Sequence, residues 1–364
     1  MNPKFIPSRT LALYTVRLWL LRTLGVLLAL VLILMTLDLL GESGRILEVP
    51  GNGEAEIWRY VGYRVPQLIA RFLPFSVLLG TIITFVALSQ SSEVIAMKAA
   101  GISAHQILTP LMLAGAGVAG LSFWFNEAVV TNATRALNAW EAVDYGRAPP
   151  PRTGGSDVWV QSGDNLINAR TVAGEGRNTV LTGVTLYARQ NGILRVLTEA
   201  DRATVASNGW RLENVRSLDV ESGRLTRGPV GTLSRDVRPE QFTLAAVEAD
   251  EQAWPELRTA IRALEDAGRP TDGLEAGLWH KISGPASAIL MPLLAAVAAF
   301  GLARSGKLVV RAVAGMGLGF AYFVVDNFAL ALGNLGAYSP LLAAWGPFLL
   351  FGLIGEAVLL RTEE

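Results

Sequence analysis

Residues 18–40 read LWLLRTLGVLLALVLILMTLDLL, with no charge between Arg22 near the start and Asp38 near the end. As a helix rising 1.5 Å per residue, about 23 residues cross the roughly 30 Å hydrocarbon core of a bilayer. The basic residues ahead of it, Lys4, Arg9 and Arg17, superficially suggest a signal peptide. The apolar run is too long for a signal core, however, and no small-residue cleavage motif follows it. It reads as a retained first transmembrane helix.

Working outward, a polar segment at 41–64 reads as an outer loop. A second apolar run spans about 67–88, opened by Pro66 and interrupted by Arg71 and Pro74. The short amphipathic stretch SSEVIAMKAAGIS follows at 91–103, and a third span at about 106–125. From there to about 277 the character changes. Short alternating segments such as VWVQSGDNLINAR and NTVLTGVTLYARQNG, broken by Gly, Asn and Asp, predict an antiparallel β domain of sandwich or jelly-roll type. Residues 255–267 have helical composition. Three more apolar runs, at about 278–303, 308–332 and 340–360, close the chain.

The expected architecture is an α-helical membrane protein of six transmembrane helices, three plus three, with one inserted antiparallel β domain. Its expected divisions are 1–128, 129–277 and 278–364. Placing Lys4, Arg9, Arg17, Arg22, Lys98, Arg304, Lys307, Arg311 and Arg361 in the cytoplasm satisfies the positive-inside bias, although Arg45, Arg59 and Arg64 fall outside. The tight basic hairpin at 304–307 decides the orientation. In a bacterium the β domain is then periplasmic and both termini are cytoplasmic.

Composition agrees. Of 364 residues, 51% are hydrophobic and only 17% charged, too apolar for an ordinary soluble chain of this size. A formal net charge of zero gives no basic surface for a nucleic-acid partner. With no cysteine, disulfides, thiolate nucleophiles and Cys-based metal sites are excluded. With only two histidines, His105 and His280, a histidine-rich metal centre is excluded as well. No cofactor is expected.

GLARSGKL at 301–308 imitates a phosphate-binding loop. A true one carries Ser or Thr after the lysine and sits between a strand and a helix. Here Leu308 follows, and the segment joins two membrane spans, so a basic turn is the better reading. Any ATP must be bound by another chain. The stretch 91–103 is either a connecting turn at the interface or a short helix that docks into a partner's groove. Charges inside apolar runs usually face a bundle interior or a water-filled cavity. Asp38, Arg71, Asp326 and Glu356 are the instances, with Lys281 near a span end. Asp326, followed by Asn327, reads as a cavity position and Glu356 as a helix-end residue. His280, between Trp279 and Lys281, reads as an interfacial anchor.

Four stretches carry a resemblance to the LptF/LptG permeases of the lipopolysaccharide export machinery, its LptG members above all. They are RVPQLIARFLPFSVLLGTIITFVALSQSSEVIAMKAAGIS (64–103), the segments VWVQSGDNLINAR, GVTLYAR and GWRLENV, WHKISGPASAILMPLLAAVAAF (279–300) and VVRAVAGMGLGFAYFVVDNF (309–328). The resemblance implies a subunit paired with an LptF-like permease, above an LptB-like ATPase dimer and beside an LptC-like protein. It implies that lipopolysaccharide is lifted from the inner membrane toward periplasmic jelly rolls. Glu93, Val94, Met97, Ala100 and Gly101 fall in the family's ATPase-coupling helix at 91–101. Asp38 and Asp326 fall on acidic positions of the first and fifth spans, and Arg135 on a basic one after the third. With Arg45, Arg71 and Lys281 these are the candidate lipid-binding residues. The family's lysines near the outer end of the first span are missing, replaced by Met35, Gly41 and Glu42. Either Arg45 or Lys281 compensates, or the exported lipid carries fewer phosphates.

Two other classes fit the sequence less well. A periplasm-facing membrane enzyme acting on a lipid or cell-envelope substrate would need a convergent acid/base pair that the sequence does not display. A scaffold that merely anchors the β domain would need only one or two spans.

Overall fold

The computed structural model describes residues 8–146, 156–162, 164–173, 178–190, 192–206, 209–233, 237, 239, 242, 248–266, 270–300 and 308–363. The basic hairpin that orients the chain, and the loop-like part of GLARSGKL, lie outside these. Two compact units emerge: Met1–Asn138 with Ala249–Glu364, and Ala139–Glu248.

The first unit is helical. Helix α1 runs Arg9–Glu48, α2 Glu54–Gln90, α3 Glu93–Ala99 and α4 Ala104–Phe125. A π-helical turn, Asn126–Val130, leads into α5, Thr131–Glu141. The chain returns through α6, Trp254–Asp266, and ends with α7 (Asp272–Phe300), α8 (Leu308–Asn334) and α9 (Pro340–Glu363). Among the described residues five helical segments are long and apolar enough to cross a membrane: Arg9–Glu48, Glu54–Gln90, Ala104–Glu141, Val313–Asn334 and Pro340–Arg361.

The polar stretch 41–64 is not the loop expected of it. Helix α1 continues to Glu48 and α2 begins at Glu54. At 1.5 Å per residue α1 is about 60 Å long, well beyond the hydrocarbon thickness. The charges there are tolerated because they pair along the helix or across to its neighbour. Arg45 bonds Glu42 at 2.9 Å one turn away, and Asp38 meets Arg64 of α2.

α1 buries a stripe with a spacing of four, Thr15, Trp19, Thr23, Leu27, Val31 and Met35, the i±4 ridge by which helices interdigitate. Its partner is α2. Trp19 Nε1 donates to Thr81 Oγ1 at 2.7 Å in the core. A Cβ on Gly80 would stand 2.8 Å from the Thr23 backbone, so only glycine allows this approach. At Gly115 of α4 the same test gives 2.6 Å to the carbonyl oxygen of Ala288 on α7. Close glycine-mediated contact is how membrane helices gain packing energy without a hydrophobic driving force between them. The opposite face of α1 exposes Leu21, Leu24, Leu28, Leu32 and Leu37, suited to lipid rather than water.

Among the described residues the second unit holds six antiparallel strands in chain order: β1 Ser156–Ser162, β2 Asn165–Ala173, β3 Val180–Gln190, β4 Ile193–Ala206, β5 Gly209–Asp219 and β6 Leu225–Leu233. Strict alternation would bury every second residue, yet Ala200 and Ala203 are both buried, as are Leu181 and Val184. The parity shifts where Gly183 and Asn214 adopt positive φ. On either side of that line the rows Ala169–Val184–Ala200 and Val172–Leu181–Ala203–Leu212 stay in register and share one core. Trp210 closes this core, edge-on to Phe242 and donating to the carbonyl of Val237 at 2.8 Å.

Candidate docking helix and buried charge clusters

α3 is seven residues long and is set off by its ends. Ser92, its N-cap, has φ +60, and Gly101 beyond it has φ +80, so the chain turns sharply on both sides. α4 then starts with a reciprocal cap, Ser103 and Gln106 each accepting the other's backbone N–H. Among the expected coupling residues, Val94 and Met97 point into the chain's own helical core. Glu93 is half-buried. Its Oε1 accepts from Ser91 Oγ at 2.8 Å and from Tyr14 of α1 at 3.4 Å. Ala100 and Gly101 are exposed, as are Ala96, Lys98 and Ala99. Ile95, an apolar residue of this stretch outside the expected coupling set, is 67% exposed at the middle of that outward face.

The candidate lipid-binding residues do not converge on one site. Asp38 joins α1 to α2: it accepts from Arg64 through both oxygens, at 3.1 and 3.0 Å, and from Tyr60 at 2.6 Å. Arg71 is exposed on α2, with no ion pair among the described residues. Asp326 of α8 is buried and lies 3.1 Å from His280 of α7, which is therefore a bundle residue rather than a simple interfacial anchor. Separately, His105 near the start of α4 lies 2.9 Å from Glu356 near the end of α9.

Arg135 and Lys281 do belong to one cluster. Lys281, 7% exposed, donates to Glu127 Oε1 at 3.2 Å. The other oxygen of Glu127 accepts the first backbone N–H of α6, from Trp254, at 2.5 Å. Arg135 donates to the Glu251 carbonyl at 3.0 and 2.7 Å and to Glu256 at 2.9 Å. Glu127, Tyr60, Arg64 and His280 were not candidates in the sequence. Tyr60 and Arg64 are spaced i,i+4 on one helix face, which is a readable signal. Glu127 and Lys281 are 154 positions apart, and nothing local announces their pairing.

Long apolar helices, close glycine contacts, charges matched inside the bundle and a separate antiparallel sheet define a polytopic membrane protein carrying a β domain. The chain belongs to the lipopolysaccharide export system permease LptF/LptG family, whose sequence model matches residues 13–361. It is 26% identical over 311 residues to the lipopolysaccharide export system permease protein LptG of Escherichia coli K12, covering 84% of this chain and 85% of that protein. The LptG protein of Haemophilus influenzae is 25% identical over 319 residues, covering 83% and 85%. The family is one of transport permeases rather than catalytic enzymes.

Proposed function

We propose that this chain is an LptG-like permease subunit of an ATP-driven exporter in the bacterial inner membrane. It extracts lipopolysaccharide and passes it to a periplasmic β-jelly-roll bridge toward the outer membrane. Six spans cross the bilayer, α7 being the one that the five clearly apolar segments leave out. Its 29 residues are long enough, and its polar groups His280 and Lys281 have partners on other helices. Both termini and α3 lie in the cytoplasm. The sheet of six strands, with its buried core gathered over β1 to β3 and the adjoining parts of β4 and β5, forms the periplasmic roll.

The observation that carries this reading is the family match along nearly the whole chain, with the coupling segment presented as a discrete short helix between two membrane helices. ATP hydrolysis belongs to an LptB-like ATPase dimer that receives α3, and an LptF-like permease and an LptC-like protein complete the assembly. Asp38, Arg45, Arg71, Arg135, Lys281 and Asp326 are the lipid-facing candidates. Arg71 is exposed on α2, and an exposed arginine near the outer end of a span suits a phosphate group.

Affinity purification of the tagged protein in mild detergent tests this. The expected result is co-purification of a soluble ATPase, a second permease subunit and lipopolysaccharide, with the ATPase lost on Glu93→Arg. A chain that purifies alone, under conditions that preserve a homologous complex, would return the envelope-enzyme alternative to first place.

A further inference from the structure

The chain leaves the helical unit through the π-turn and α5 and re-enters it through Ala249–Glu251 and α6. These outgoing and returning connections are fastened together by one cluster of charges. Arg135 and Asn138 on α5 hold Glu251, the arginine through the carbonyl and the asparagine through the carboxylate at 2.7 Å. Arg135 also reaches Glu256 in the first turn of α6. Glu127, in the π-turn, caps the first N–H of α6 with one oxygen and takes Lys281 of α7 with the other. Trp254, the residue so capped, has a buried indole N–H with no partner among the described residues, and Arg258 lies 5.2 Å above its ring.

Three features make this a switchable fastening rather than a permanent one. A π-turn inside a helix is rarely retained for stability and marks functional positions. A Lys–Glu pair taken out of water stabilises little, because desolvation of both ions offsets their attraction. And Glu256 and Glu127 present carboxylate oxygens to Arg135 and Lys281, a role that phosphate fills equally well and with more charge.

Resting on the permease reading above, we propose that this cluster is a latch opened by the phosphorylated headgroup of the exported lipid. Phosphate oxygens take Arg135 and Lys281 from the chain's own carboxylates. Glu127, left as a largely buried carboxylate without its counterion, turns out to water and releases the N-terminus of α6, and the two connections separate. Internal carboxylates occupy the cations in the lipid-free protein and keep the connections closed.

Hydrogen exchange read by mass spectrometry tests this on the nanodisc-embedded protein, purified with the chains that accompany it. Three additions are compared: a glycolipid with phosphorylated lipid A, the same glycolipid stripped of phosphate, and inorganic phosphate at equal phosphorus concentration. Retained lipid is measured on each sample. The expected result is several-fold faster exchange at residues 254–258 with the phosphorylated glycolipid alone, while α4 is unaltered. Glu127→Ala, which removes both the cap on α6 and the partner of Lys281, is expected to show that faster exchange already without lipid. Should it fail to fold, Glu256→Gln at the exposed end of the cluster serves instead. Retained phosphorylated lipid with unchanged exchange would overturn the latch while leaving the permease reading intact. Opening by inorganic phosphate alone would overturn the lipid as its trigger. Failure to retain any glycolipid would remove the permease reading and the latch together.

Discussion

Lys281 shows what a single residue could and could not disclose. A lysine beside a long apolar run is expected to be matched, because an unpaired ammonium in the bundle carries a heavy desolvation penalty. That much follows from the sequence. Its partner does not, since Glu127 is brought to it only when α7 packs beside the end of α4. The same holds for Asp326 and His280, and for Asp38 with Arg64. Lys281→Met strands the carboxylate of Glu127 and is expected to destabilise the protein by about 3–5 kcal/mol. Adding Glu127→Gln removes that charge but keeps an oxygen for the Trp254 N–H, so the double variant should recover most of the loss. Thermal unfolding in detergent reads both. Equal destabilisation by the single and double variants would mean the ammonium, not the pairing, is what the fold needs.

At the scale of elements, hydropathy marked α1, α2 and α4 but not their ends. Gly41 to Glu48 lacks an apolar run, yet it stays helical, with no proline in it and Arg45 paired to Glu42 within a turn. Within the sheet, alternation located the strands. The line through Gly183 and Asn214, where the buried parity shifts by one residue, depends on backbone conformation that a pattern of letters carries only as a glycine and an asparagine. Helix α3 is the sharpest case. Seven residues are too few for a periodicity to choose a face, so Val94 and Met97 could be named as coupling residues while their direction stayed hidden. They pack inward, and Ile95 stands outward. Val94→Asp is therefore expected to lower the yield and melting temperature of the whole helical unit, through a buried unpaired carboxylate. Ile95→Asp should leave the stability within about 0.5 kcal/mol of the parent's, as surface substitutions do, while reducing the ATPase recovered on purification. Should Ile95→Asp retain the ATPase fully, the docking face lies elsewhere on this side of the chain.

For the whole molecule, the plan of apolar helices interrupted by a β domain was legible because bilayer thickness sets a length that few other folds demand. Its sidedness rested on a basic hairpin, an electrostatic bias rather than a packing fact, and therefore calls for a direct measurement. The absence of cysteine makes one clean. Ile95→Cys on α3, Ile193→Cys at the start of β4 and Leu335→Cys after α8 place single thiols at well exposed sites, Leu335 being 80% exposed. A membrane-impermeant maleimide applied to intact spheroplasts should label the cysteines at 193 and 335 and spare the one at 95. Inverted vesicles should give the reverse. With α3 on one side and both other sites opposite, an odd number of crossings must separate residue 95 from residue 193, which α4 supplies. The stretch between residues 193 and 335 must then cross an even number of times, which requires α7 to span together with α8. Labelling of the cysteine at 335 from the side of α3 would leave α8 crossing alone, reduce the bundle to five spans, and make α7 a helix held inside it by Lys281 and His280 rather than one that traverses the bilayer.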